Sequence, residues 1–308
     1  MSILFKLFQK QWNKTEKKDA QRIASQEPVQ GIEEVTDIAY IDDGLRGHLL
    51  DVYFPRKAQD KKLPVVIDIH GGGWMYGYKE LNKNYNLYLS SSGYTVFSLS
   101  YRLAPEVFMP DQIKDIFAAL KWIDEHMDEF PCDRNNVYLT GDSAGGQLAG
   151  YTAVIYNNPV LEKAFCVSGA GFKFNAVALI CPFFDMANRG ITGIYSRPML
   201  GPGFRKKEFA KYLTLKALLK TGGMPPCFIV SSTGDILTKR SSKKAAKLFA
   251  KYGVTYKFMY WSKFQGKKLE HVFPVTYPYM EESARTTQRM FDFFDKYSRG
   301  EEDIIKAK

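Results

Sequence analysis

Apolar residues fall into two rhythms along this chain. Short runs rich in β-branched and aromatic residues recur at 35–41, 49–54, 64–69, 94–99, 136–140, 175–180, 225–232 and 254–261. Runs of this length and composition read as strands. Longer segments repeat their apolar residues every three or four positions. The clearest is 111–130, with Ile113, Ile116, Phe117, Leu120 and Ile123 at core spacing and Pro131 as its stop. Residues 82–92, 147–154 and 241–253 read as further helices, 276–299 contains the closing one, and Gly253 is placed to end the helix at 241–253. The first two strands flank Asp42-Asp43-Gly44, a turn signal, so an antiparallel hairpin is expected at one sheet edge. From residue 64 onward strand and helix alternate. That order predicts a mostly parallel central sheet flanked by helices, with right-handed crossovers.

Two segments do not fit the alternation. Residues 1–34 place Ile3, Leu4, Leu7, Phe8 and Trp12 on one helical face, interrupted by Lys6, Lys10 and Lys14. This segment reads as an interfacial helix, a tail, or part of a lid. Residues 186–223 carry Gly190, Gly193, Pro198 and Gly201-Pro202-Gly203, with a helix-like stretch at 206–220. They are too long for an ordinary connection and read as an insertion.

The chemistry lies where strands end. Gly141-Asp142-Ser143-Ala144-Gly145 stands between the strand at 136–140 and the helix at 147–154. Strand, G-x-S-x-G and helix together define a nucleophile elbow, in which the serine hydroxyl stands clear of the sheet on a tight turn. His70-Gly71-Gly72-Gly73-Trp74 follows the strand at 64–69. Glycines there let backbone N–H groups approach a bound oxygen. Gly72, Gly73 and Ala144 are therefore the expected oxyanion donors.

A serine nucleophile needs a base, and the chain has four histidines. His48 lies in the edge hairpin. His70 belongs to the glycine loop, where its ring can hold the loop. His126 sits in a helix beside Glu125 and Asp128. His271 remains, after the last strand and the loop Gly266-Lys267-Lys268-Leu269-Glu270. Two acids, Asp185 and Asp235, follow strands and precede the histidine, so both satisfy the order Ser…Asp…His.

The two glycine motifs together with Tyr101-Arg102-Leu103-Ala104-Pro105-Glu106 resemble the α/β-hydrolase fold, and within it the hormone-sensitive-lipase-like carboxylesterases. The resemblance runs from about residue 35 to the C-terminal helix. Asp235-Ile236-Leu237 is similar to the family's D-x-L, and with the tight Gly234-Asp235 turn this favours Asp235 over Asp185 as the acid. The resemblance implies a serine carboxylesterase with the triad Ser143, Asp235 and His271, acting through an acyl-enzyme without cofactor or metal. It also implies that the insertion at 186–223 forms part of a cap. Residues 1–34 carry an apolar face too large to leave in water and are expected to help close the pocket with it. The charges within the insertion favour short acyl esters over long-chain lipid. Trp74, Tyr76, Phe108, Phe183 and Phe184 are candidates for lining the substrate pocket. The chain departs from the family pattern where Val272 follows His271 in place of the usual glycine. It departs again where Val107-Phe108 follows Glu106.

Charge and cysteines add little to that picture at this level. The net charge of +10 comes from 43 basic residues against 33 acidic ones. The lysines read as scattered over helices and both ends, with no nucleic-acid motif, so a solvated basic surface is expected. Cys132, Cys166, Cys181 and Cys227 form no CxxC pair, and mostly apolar neighbours suggest buried free thiols. No run of apolar residues is long enough to span a membrane. The N-terminus lacks the basic region and cleavage site of a signal peptide, which favours a cytoplasmic protein. The expected partner is a small-molecule ester, with homo-oligomers compatible and nucleic acid not expected.

Overall fold

The computed structural model describes residues 3–58, 61–186, 191–263 and 269–299. Helix α1 (Ile3–Ser25) leads into the hairpin of β1 (Ile32–Ala39) and β2 (Leu49–Pro55). Then come β3 (Leu63–Ile69), α2 (Lys83–Ser91), β4 (Thr95–Leu99), α3 (Met109–His126), β5 (Cys132–Asp142) and α4 (Ser143–Ile155). The chain continues through α5 (Pro159–Phe165), β6 (Phe174–Ile180), α6 (Ile191–Ser196) and α7 (Leu215–Thr221). It closes with β7 (Cys227–Ser232), α8 (Lys239–Lys251), β8 (Tyr256–Trp261), α9 (Phe273–Thr276) and α10 (Glu281–Asp295).

The strands form one eight-stranded sheet in the order β1-β2-β4-β3-β5-β6-β7-β8. Only the pairs β1–β2 and β2–β4 are antiparallel, so β2 alone runs against the rest. The period-two alternation of a strand sorts the core. Val65, Ile67 and Ile69 of β3 pack with Leu139 and with α3 and α4, while Val66 and Tyr138 pack toward α2 and α10. Asp68 shares the second face but is 1% exposed, a carboxylate in a strand otherwise read as apolar.

Two expectations need correction. The stretch 206–220 is not one helix. It forms two 3-10 turns and then α7, because Thr214 accepts from the Ala217 N–H and starts a new helix, while the Leu213 carbonyl accepts from Tyr151 Oη at 2.7 Å. The helix expected within 276–299 is α10, and the short α9 ends where that stretch begins. Cys166 is exposed, because it ends α5 in the left-handed conformation at φ 57°, whereas the other three cysteines are buried. Among the described residues no helix is long and apolar enough to cross a membrane.

Candidate active site

The carboxyl ends of β3, β5, β7 and β8 converge on one cavity of about 610 Å³. Strand β5 stops at Asp142 and α4 begins at the next residue, Ser143, whose φ is 53°. A non-glycine residue in this region is strained, and the elbow needs that strain to project its hydroxyl. Any Cβ on Gly145 would collide with the Ile69 and His70 carbonyl oxygens, so α4 can start this close to β3 only with glycine there.

Ser143 Oγ donates to His271 Nε2 at 2.8 Å, and His271 Nδ1 donates to Asp235 Oδ1 at 3.0 Å. The acid fixes the ring tautomer, because a carboxylate can only accept. Asp235 is fully buried behind the histidine. Its Oδ1 also accepts from the Leu237 and Thr238 N–H groups at 3.1 and 2.9 Å, and its Oδ2 from the Thr238 and Ser231 hydroxyls. Burial alone would raise its pKa. The hydrogen bond and charge of His271, with the Thr238 donors, overcome burial and hold the carboxyl down at about 2. Cys181 lies in the same cluster, within 4.8 Å. Burial raises its thiol well above the ordinary value, which keeps it protonated.

The glycine loop is held from several sides. The Gly71 N–H donates to Asp142 Oδ1 at 2.9 Å, and Tyr101 Oη donates to the His70 and Gly71 carbonyls. His70 stacks on Tyr101 at 4.3 Å and donates from Nδ1 to the Gly71 carbonyl. Burial depresses the His70 ring to about 4, so it stays neutral as a loop support. Trp74 is buried, with φ 65°, and its indole donates to Gln147 Oε1 of α4 at 3.0 Å. The second half of the Tyr101–Glu106 motif serves the same loop: Arg102 pairs with Asp115 of α3, and the Ala104 N–H donates to the Trp74 carbonyl. Among the described residues no partner engages the N–H groups of Gly72 and Gly73. The Ala144 N–H lies in the first turn of α4, where helices leave donors free.

Beneath the loop lies a polar knot that the sequence reading did not anticipate. Asn82 Nδ2 donates to both Asp142 Oδ1 and Asp68 Oδ2, at 2.9 and 3.0 Å, and Asn86 of α2 donates to Asp68 Oδ2. Burial, and then the Asp142 charge, push Asp68 up to about 7. The acidic residue of the elbow was visible in the motif, but its partners come from a segment 60 residues away.

Helix α1 roofs the cavity. Trp12, Thr15, Asp19 and Arg22 face it, together with Tyr76 and Tyr195. Trp12 stacks on Tyr76 at 5.3 Å, Tyr76 Oη donates to Asp19 at 3.0 Å, and Arg22 and Gln26 both donate to the Thr276 carbonyl. The side chains of Ile3, Leu4 and Leu7, residues 187–190 and the Gly266-Lys267-Lys268 stretch lie outside the described residues. Of the pocket candidates, Trp74, Tyr76 and Phe183 line the cavity, as do Gly72, Gly73 and Ala144. Phe108 and Phe184 do not. Phe108 is the half-buried N-cap of α3 with its ring against Gly201, and Phe184 is buried, stacked on Tyr151 beside Gly150. Asp185 is also elsewhere, paired with Lys244 at 2.8 Å.

A parallel sheet with an elbow serine, a histidine and a buried aspartate at its carboxyl edge defines an α/β-hydrolase. The BD-FAE family model matches residues 50–248, and the chain belongs to that family. Carboxylesterase NlhH from Mycobacterium tuberculosis is 38% identical over 213 residues, 63% of each chain. Arylacetamide deacetylase from Oryctolagus cuniculus is 36% identical over 173 residues, 53% of this chain and 41% of that protein. The chain thus matches less than two thirds of the length of either. Over nearly its full length it is similar to esterase B from Lactobacillus rhamnosis in a structure with a tributyrin phosphonate inhibitor. The TM-score is 0.92 at 32% identity, covering 99% of this chain and 98% of that one.

Proposed function

We propose that this protein hydrolyses short-chain carboxylic esters with Ser143 as nucleophile. The observation that carries the reading is the unbroken chain from Ser143 Oγ through His271 to buried Asp235, on the floor of a cavity large enough for a small ester. His271 Nε2 takes the Ser143 proton as Oγ bonds to the carbonyl carbon. The carbonyl π electrons move onto oxygen, where the N–H groups of Gly72, Gly73 and Ala144 receive the charge. Such a donor contributes roughly 3 kcal/mol to the transition state. The tetrahedral species collapses as the C–O bond to the alcohol breaks, and His271 returns the proton to the leaving oxygen. Water, deprotonated by the same histidine, then cleaves the acyl-enzyme. Asp235 stabilises the imidazolium at both stages.

Three further parts belong to this proposal. Residues 1–34 and the insertion at 186–223 act as a cap, supported by Trp12 and Tyr195 meeting over the cavity. The short acyl preference is supported by the butyryl-type inhibitor of the esterase B relative and by a roof built from helix α1 and Tyr195. The buried free thiols of Cys132, Cys181 and Cys227 support a cytoplasmic setting.

Amide hydrolysis is the second reading, favoured by the likeness to an arylacetamide deacetylase. Both reactions share the tetrahedral oxyanion, so turnover must separate them. A series of p-nitrophenyl esters from acetate to dodecanoate, run beside p-nitroacetanilide, does so. The expected result is greatest kcat/KM at acetate or butyrate and little anilide cleavage. Deleting residues 1–30 should shift KM or acyl preference while Ser143 still reacts with a fluorophosphonate. Preference for emulsified long-chain lipid, or for the anilide, would overturn the short-ester reading.

A further inference from the structure

The positive charge of this protein is concentrated in one part of it. Between residues 197 and 251 the chain carries thirteen Lys and Arg against two acids, Glu208 and Asp235, an excess of eleven, while the whole chain carries +10. Everything outside that stretch is therefore close to neutral, and one of its two acids, Asp235, is buried in the active site. Eleven of the thirteen basic residues are exposed.

The fold gathers seven of these charges along two adjoining hollows. Helix α7 packs on α8. The two border a hollow lined by Lys216 and Lys244, and Thr214 joins that hollow to a second one lined by Arg197, Arg205, Lys206, Lys207 and Lys211. Neutralisation is sparse: Glu208 pairs with Lys211 at 2.6 Å and Asp185 with Lys244 at 2.8 Å. Lys206, Lys207, Lys216, Lys220, Lys247 and Lys251 have no carboxylate partner among the described residues. A single-sign field of this size attracts an extended anionic partner and disfavours self-association through the same face.

Apolar side chains sit beside the charge. Ile236 and Leu237, directly ahead of α8, are 78% and 63% exposed, and Ile194 on α6 is 53% exposed. Leu237 also lines the catalytic cavity. Aliphatic tips next to a lysine field suit a surface that settles into the headgroup region of a bilayer. Ten of the thirteen cations are lysine. Lysine is a hydrated point charge without the planar fork that reads phosphates bidentately, so the surface matches a diffuse anionic plane better than a nucleic-acid site.

We propose that the insertion, α7 and α8 form a docking surface for an anionic lipid bilayer, which sets the Leu237 side of the catalytic cavity at the membrane. The proposal does not depend on the ester-hydrolase reading, because it is tested by binding alone.

The full-length protein is sedimented with vesicles of phosphatidylcholine, and with vesicles of phosphatidylcholine mixed with phosphatidylserine. Binding is expected to the mixed vesicles, about tenfold or more weaker to the neutral ones, and weakened again by high salt. The combined variant Lys216→Glu, Lys220→Glu, Lys247→Glu and Lys251→Glu should lose at least about tenfold in vesicle affinity. Its melting temperature and its turnover of a soluble ester should match wild type. Ile236→Ser should weaken binding while leaving its salt dependence in place. No binding, equal binding to both vesicle types, or retained binding by the four-lysine variant would overturn the proposal. Tighter binding to a single-stranded RNA homopolymer than to anionic vesicles would assign the surface to nucleic acid and overturn it as well.

Discussion

Tyr195 Oη donates to the Gly73 carbonyl at 2.8 Å, and the same oxygen accepts from the Trp12 indole at 3.0 Å. Three distant segments meet at one hydroxyl: the N-terminal helix, the insertion and the glycine loop. A Cβ on Gly73 would strike both Tyr195 and Trp12, so the third glycine of the loop is also the seat for the roof. The bond holds the Gly73–Trp74 peptide, and with it the loop whose N–H groups are assigned to the oxyanion. Tyr195→Phe keeps the ring and removes the bond. A hydrogen bond of this kind contributes about 1 kcal/mol, so kcat should fall roughly five- to tenfold, with KM and melting temperature little changed. Equal kcat in variant and wild type would remove Tyr195 from the positioning of the loop.

The acid of the triad can be tested against its rejected competitor. Asp235→Asn should lower kcat by about four orders of magnitude, through loss of the correct imidazole tautomer. Asp185→Asn should leave kcat within about twofold, because its ion pair with Lys244 is partly exposed and Asp185 lies off the catalytic cavity. Reversal of the two losses would move the acid to the end of β6.

Val272 occupies a position that favours glycine. Its φ is 50°, in the left-handed region, immediately after His271 and at the start of α9. A β-branched residue there is strained by roughly 1–2 kcal/mol. Alanine keeps a Cβ and so keeps the strain, whereas glycine releases it. Chemical denaturation should therefore rank Val272→Gly above Val272→Ala by about 1 kcal/mol, the reverse of the usual order. Finding alanine the more stable would show that the left-handed backbone carries no such cost.

The Asp68–Asn82–Asp142 knot gives stability a pH dependence of definite sign. Burial and the neighbouring carboxylate raise Asp68 to about 7 in the folded protein, against about 3.9 in the unfolded chain. The folded state holds the extra proton, so its advantage is complete below the unfolded value and fades as pH rises through the folded one. Asp68→Asn keeps an acceptor for Asn82 and Asn86 and removes the titration. Its melting temperature relative to wild type should rise between pH 5 and pH 8, on the order of 5 °C. Parallel curves over that window would show that Asp68 does not titrate there.

The sequence by itself determined the parts whose geometry is local. A β-run, two glycines around a serine and an immediate helix permit one backbone path, so the elbow at Ser143 was legible. The glycine loop at His70 was legible for the same reason. His271 was found by elimination among four histidines, and the alternation of strands and helices announced a parallel sheet. The tertiary structure decided what depends on residues far apart in the chain. Trp12 and Tyr195 lie 183 positions apart, and Asn82 and Asp142 lie 60 apart, with nothing at either end to signal the other. Phe108 and Phe184 carry the same rings as Phe183, yet only the packing of α3 and α4 determines which ring reaches the cavity. The charge excess between residues 197 and 251 can be counted from the letters, but the two adjoining hollows that gather seven of its cations cannot. Backbone conformation follows from neighbouring residues, whereas the direction and company of a side chain are fixed only when elements pack.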